Sequence, residues 1–151
     1  MDIETVDLEL KTDYKPFNSK YYLVPRINKE NFHKDLKHLV KIGLLTLTQQ
    51  SWYGTPVFII PMKEGTVRFI TGNHRFNQKL VGKMYSVPIT GNTIQHLEGF
   101  QYATTLDLNM GYYNIKLSPN IYDMTTIVAE FWKFRYKRLL WECALWEIYP
   151  N

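Results

Sequence analysis

Cysteine is almost missing from this chain: Cys143 is the only one in 151 residues. No internal disulfide can form. The four histidines, His33, His38, His74 and His96, are scattered without the spacing of a zinc site. Long apolar runs are missing too. The longest, Val57 to Met62, falls far short of the roughly 20 residues of a membrane-spanning helix. No basic, apolar, small-residue progression stands at the N-terminus. These absences predict no membrane partner and an intracellular setting, cytoplasmic or nuclear, without secretion. There is no internal repeat, low-complexity tract or Gly/Ser linker, which predicts one continuous fold. With 45% hydrophobic and 15% aromatic residues, a chain of this length can bury a sizeable core without metal or disulfide support.

Charge is unevenly distributed. Residues 1–13 carry five acids and one lysine, whereas residues 14–83 carry twelve Lys/Arg against three acids. Residues 84–132 reverse the sign with one lysine and four acids, and Lys133, Arg135, Lys137 and Arg138 restore positive charge. A basic segment beside an acidic one suits a polyanion lying next to a metal site, although a solvated basic surface has the same composition. The acidic leader, residues 1–13, is expected to be disordered.

The apolar residues Phe32, Leu36, Leu39 and Val40 follow Asn28 at helical spacing and end at Gly43, which predicts an amphipathic helix. Val57 to Pro61 and Val67 to Thr71 are rich in β-formers and separated by Lys63, Glu64 and Gly65, which predicts a hairpin with a basic, mobile tip. Tyr85 to Pro88 reads as extended, Thr93 to Leu97 as a short helix, and Tyr102 to Leu108 as a half-buried strand delivering Asp107. Three further β-like runs follow, Tyr113 to Leu117, Thr125 to Val128 and Phe134 to Leu139. The class is α+β.

Asp107 stands at a predicted strand end, followed by Gly111 and the rings of Tyr112 and Tyr113. Catalytic carboxylates occupy such places because the strand fixes the side chain and the turn opens backbone amides to a ligand. An acid capping the turn through its own backbone hydrogen bonds has the same pattern.

The run from Phe100 to Pro119, with Leu106-Asp107-Leu108-Asn109-Met110-Gly111-Tyr112-Tyr113 at its centre, resembles the first catalytic motif of reverse transcriptases from gypsy-type LTR retrotransposons. Upstream, Leu39 to Leu45, Ser51-Trp52, Thr55 to Pro61 and Gly65 to Thr71 resemble the same family's fingers segment in the same order. The resemblance extends from about Leu10 to Leu139. It implies the fingers and a partial palm of a right-hand polymerase fold, incomplete: fingers over residues 14–88, the first part of the palm over 89–118, and a return to the fingers over 119–139.

It also implies roles. Asp107 would be one of three carboxylates holding two Mg²⁺ ions, with the Leu108 carbonyl completing a metal shell. The backbone amides of Met110 and Gly111 would face a deoxynucleoside triphosphate. Tyr112 would lie under the sugar and disfavour a 2′-hydroxyl. Arg68 would grip the triphosphate and stack on the base, a task for a planar, permanently charged guanidinium, and Lys63 is a further candidate for the same phosphates. Core packing for Tyr112 and solvation for Arg68 and Lys63 are the competing readings. The implied partners are an RNA or DNA template-primer, deoxynucleotides, and a parent polyprotein with protease, RNase H and integrase.

Two departures stand out. After Thr71 the family carries Asp-Phe-Arg, where this chain has Gly72-Asn73-His74, so an acid and a base are lost together. After Leu139 the family continues Pro-Met-Gly, whereas residues 140–151 do not match. Back-translated with freely chosen codons and read one nucleotide earlier, that tail is compatible with the family's continuation, which predicts a single-nucleotide shift near codon 139. The family's Tyr-x-Asp-Asp motif does not occur, nor does any Asp-Asp pair. The expectation is a truncated reverse transcriptase fragment, inactive alone. The alternatives are a non-catalytic nucleic-acid-binding remnant and a pseudogene product.

Overall fold

The computed structural model describes residues 5–13, 15–63, 65–81, 91, 99, 101–102, 104, 111–130 and 132–140. The elements expected from Tyr85 to Leu108 fall wholly or largely outside these residues, as do Asp107, Leu108, Met110 and positions 141–151.

Helix α1 spans Lys29–Lys41 and follows a 3₁₀ turn over Arg26–Asn28. Phe32, Leu36 and Leu39 are buried, as the spacing predicts, but Val40 is exposed. Positions 32, 36 and 39 form one stripe, and residue 40 lies about 100° around the axis from residue 39, past the edge of that stripe. Asn28 occupies the N-cap without making a side-chain cap bond. Gly43 adopts φ +75 and ends the helix, with the Leu44 N–H donating to the Leu39 carbonyl.

The strands are β1 (Thr5–Val6), β2 (Leu45–Thr48), β3 (Thr55–Pro61), β4 (Val67–Thr71), β5 (Lys116–Leu117), β6 (Thr126–Ala129) and β7 (Trp132–Tyr136). Five of them form one sheet in the order β2-β7-β6-β3-β4. The β3–β4 hairpin pairs in antiparallel register, Val57 opposite Thr71 and Pro61 opposite Val67. Strand β3 runs parallel to β6, and β6 and β2 flank β7 antiparallel. The parallel β3–β6 contact is short, Thr55 with Ile127 and Pro56 with Val128. It joins the hairpin to the later part of the chain. Four-residue helix α2, His74–Asn77, follows β4.

Helix α1 packs on β2 and β4. The Phe32 ring stacks on Phe69 of β4 with centroids 5.7 Å apart and planes at 13°. The same core takes in Val57, Phe76, Ile127, Phe134 and Tyr136, and burying one such side chain contributes about 1.5–3 kcal/mol. Leu140, the first residue of the off-pattern tail, is buried there as well.

Two expectations are corrected. In the run Tyr113 to Leu117, only Lys116–Leu117 is strand; Tyr113 and Asn114 belong to a 3₁₀ turn, Gly111–Asn114, and the Ile115 N–H donates to the Tyr112 carbonyl. Residues 5–13, read from their acidity as a disordered leader, are tied to the fold. Thr5 and Val6 pair in parallel with Lys116 and Leu117, and the Val81 N–H donates to the Glu9 carbonyl. Backbone pairing needs no particular side-chain charge, while Leu8 and Leu10 pack against the core.

Candidate functional site

A cleft of about 470 Å³ opens where α1, β4 and the 111–114 turn meet. Helix α1 contributes Asp35, His38 and Leu39. Strand β4 contributes Val67 to Thr71, and Asn73 follows it. Tyr112 and Tyr113 come from the turn, and Tyr136 and Leu140 close the remaining side. The cleft therefore brings together Arg68 and Tyr112, two residues 44 positions apart that the resemblance assigned to one nucleotide.

The local sequence explains this placement. In β4, the register sets Arg68 opposite Ile60, and its side chain is exposed. Val67 and Thr71 are buried instead. Gly111 opens the 3₁₀ turn that follows, and Tyr112 remains 39% exposed. That exposure leaves ring surface open to a ligand.

The lower part of the cleft is polar but largely satisfied. The Thr71 and Tyr136 hydroxyls lie 3.2 Å apart in a hydrogen bond, with Tyr136 buried. The Thr125 hydroxyl donates to the Tyr136 carbonyl at 3.0 Å, which holds β7 in place behind the cleft. Asp35 has a carboxyl pushed above the ordinary aspartate range by burial, an effect that the neighbouring His38 partly offsets. The wall is thus a mixture of an exposed guanidinium, an acid, an imidazole and three tyrosines.

Lys63 is exposed at the β3–β4 turn and does not line the cleft. Asp107, Leu108 and Met110 lie outside the described residues. Among the described residues, no group of three or more His, Cys, Asp or Glu could hold a metal ion. No helix among the described residues is long and apolar enough to cross a membrane. Sequence reasoning missed Asp35, His38, Thr71, Asn73 and Tyr136 as cleft residues. The Gly72-Asn73-His74 departure was the one signal pointing to part of this group.

No protein-family model matches the chain. It is 26% identical over 146 residues to the retrovirus-related Pol polyprotein from transposon opus of Drosophila melanogaster, covering 92% of the chain and 14% of that protein. It is also 26% identical over 134 residues to the Pol polyprotein from transposon gypsy of the same organism, covering 84% of the chain and 13% of that protein. The chain thus spans about a seventh of these curated relatives. Among solved structures it matches the prototype foamy virus protease-reverse transcriptase with a TM-score of 0.77 at 24% identity, over 92% of the chain and 19% of that protein. A foamy viral protease-reverse transcriptase solved in complex with double-stranded DNA matches with a TM-score of 0.74 at 18% identity, over 93% of the chain and 24% of that protein. The chain is a homologue of one region of the gypsy-type and other retrotransposon Pol polyproteins, and it has the fold of part of a reverse transcriptase.

Proposed function

We propose that this chain is the fingers and first palm portion of an RNA-directed DNA polymerase of LTR-retrotransposon type, and that its cleft receives the incoming deoxynucleoside triphosphate. The observation carrying this reading is the convergence of Arg68 and Tyr112 on one cleft. The Arg68 guanidinium offers several fixed N–H donors to phosphate oxygens, a charge-assisted contact stronger than a neutral one. Tyr112 offers a flat surface for the sugar, and its bulk selects against a 2′-hydroxyl. In this reading the Met110 and Gly111 amides would serve the triphosphate. The basic segment 14–83 tracks the template-primer backbone.

In the complete enzyme Mg²⁺ would be held by three carboxylates, of which Asp107 would be one, together with the Leu108 carbonyl, and would supply the activation of the attacking hydroxyl. The 151 residues contain no Tyr-x-Asp-Asp motif, so in this reading these residues by themselves would bind the nucleotide without supplying the full carboxylate set. Magnesium, deoxynucleotides, template-primer and a polyprotein parent are the partners of the whole enzyme in this reading.

Titration of the purified chain with deoxynucleotides, alongside a gel shift on an RNA-DNA primer-template at two salt concentrations, tests it. Binding of the primer-template is expected to weaken steeply with salt, as contacts through several phosphates do. Arg68→Ala is expected to weaken deoxynucleoside triphosphate affinity roughly tenfold or more, the size of a lost hydrogen bond to a charged group, and to weaken the phosphate-free deoxynucleoside less. Primer extension by the chain alone, or triphosphate binding indifferent to Arg68, overturns the reading.

A further inference from the structure

Asn73 stands out among the cleft residues. It is 4% exposed, and its side-chain Nδ2 is buried without a hydrogen-bond partner. Buried side-chain amides are nearly always paired, because leaving one unmade forfeits its hydration with nothing in return. The ordinary structural explanation for an asparagine here is excluded. Asn73 occupies the N-cap position of α2, where an asparagine usually bonds the first turn through its side chain, yet it makes no side-chain cap bond. Its backbone is already engaged: the N–H donates to the Thr71 carbonyl at 2.9 Å, and its carbonyl accepts the Asn77 N–H at 2.8 Å. Asn73 is among the residues lining the cleft, and its Nδ2 serves neither the helix nor the turn.

We propose that Asn73 is a specificity-determining residue of the cleft, its Nδ2 donating to a neutral oxygen of the bound nucleotide, a sugar hydroxyl or a base carbonyl. This rests on the nucleotide reading of the cleft. Two features of the site select a neutral acceptor over a phosphate. Arg68, the cation suited to phosphate, is the exposed residue, whereas Asn73 is buried beside buried Thr71, Tyr136 and Leu140. A phosphate drawn to that depth would be stripped of water without a cation, which is far costlier than seating a hydroxyl or carbonyl there. The neighbouring Thr71 and Tyr136 hydroxyls already bond each other, which leaves the amide as the group in need of an acceptor. The aromatic residue that the resemblance sets at this position has no such donor, so the contact would be this chain's own.

The test titrates the 151-residue chain and its Asn73→Leu and Asn73→Asp variants with dTTP and with 2′,3′-dideoxy-TTP, and measures the unliganded thermal stability of each. Leucine keeps the volume and removes the donor, and aspartate keeps the shape and replaces the donor with an acceptor. Both variants are expected to bind dTTP about two- to tenfold more weakly, the range for one lost hydrogen bond. Asn73→Leu is expected to be no less stable than the parent without nucleotide, because the amide it removes has no partner in the free chain. If the acceptor is the 3′-hydroxyl, dideoxy-TTP binds the parent and Asn73→Leu alike; if it is the base carbonyl, both nucleotides weaken together. Unchanged dTTP affinity in both variants, with Arg68→Ala still impaired, overturns the role of Asn73 while leaving the cleft reading intact. Loss of folding in Asn73→Leu also overturns it, since the amide would then be holding the protein. No nucleotide binding by the parent chain removes the cleft reading and this inference with it.

Discussion

The Lys29–Glu130 pair should respond asymmetrically to mutation. Lys29 Nζ lies 2.5 Å from Glu130 Oε1, with the lysine side chain 40% exposed and the glutamate 5% exposed. The pair joins the first turn of α1 to the β6–β7 connection, where Glu130 holds φ at +28. An exposed pair contributes about 0.2–1 kcal/mol, whereas breaking a buried one by removing a single partner costs about 3–5 kcal/mol. Lys29→Met strands a buried carboxylate. Because the lysine end is partly hydrated, the cost should fall below the full buried value, at about 2–3 kcal/mol. Glu130→Gln leaves an ammonium that can turn to water, so its cost should be nearer 1 kcal/mol. For a chain of this size the lysine variant should melt roughly 5–10 °C lower, at about 2–4 °C per kcal/mol. Urea denaturation of the parent, both single variants and the double variant gives the ordering and the coupling energy. Equal and small losses would show that Glu130 is hydrated in solution and would refute the burial argument.

Two further outcomes follow from the geometry. A Cβ at Gly54 would lie 2.1 Å from Asn18 Oδ1 and 2.6 Å from Val128 Cγ2; the asparagine tip can swing away, but the β-branched valine on β6 is stiff. Gly54→Ala should therefore cost about 1–3 kcal/mol and Gly54→Val should fail to fold, and recovery of Gly54→Ala by Val128→Ala in denaturation curves would identify the clash. For Asp35, burial is the main cause of its raised carboxyl pKa, with the charge of His38 opposing it. A carboxyl that is harder to ionise in the folded chain than in the unfolded one makes the folded state less stable once pH rises through its folded-state pKa. Asp35→Asn should consequently stabilise the chain at neutral pH and give no advantage below the ordinary aspartate range; stability curves at pH 3 and pH 7 that differ from the parent by the same amount would contradict it.

The parts of this fold that were legible in sequence are those where one local signal dominates. The stripe of Phe32, Leu36 and Leu39 closing on Gly43 dictates α1, and two β-rich runs around Lys63 to Gly65 dictate the hairpin. Strand β2 escaped notice because Leu45–Thr48 follows Gly43 so closely that it reads as a connection, although its pairing with β7 is what makes it a strand. The Tyr113 to Leu117 run has β-forming residues, yet the turn opened by Gly111 keeps Tyr113 and Asn114 in 3₁₀ geometry, where local backbone bonding overrides propensity. The leader's acidity said nothing about whether its backbone would pair with β5.

Part of the site was legible through the family resemblance, which assigned Arg68 and Tyr112 to one nucleotide, and the folded sheet and turn bring both to one cleft. Asn73 illustrates the opposite limit. In sequence, Gly72-Asn73-His74 shows only the loss of an acid and a base, whereas the fold makes the middle residue part of the cleft lining, with its Nδ2 buried and unpartnered.

Photo-crosslinking of an azido-deoxynucleoside triphosphate to the 151-residue chain, with the adducts mapped by peptide mass spectrometry, tests the central claim most directly. Adducts on the β4 segment around Arg68 and on the 111–114 turn, suppressed by unmodified deoxynucleotide and lost in Arg68→Ala, are the predicted result. Specific labelling elsewhere in the chain, or labelling that excess deoxynucleotide does not compete away, would contradict it.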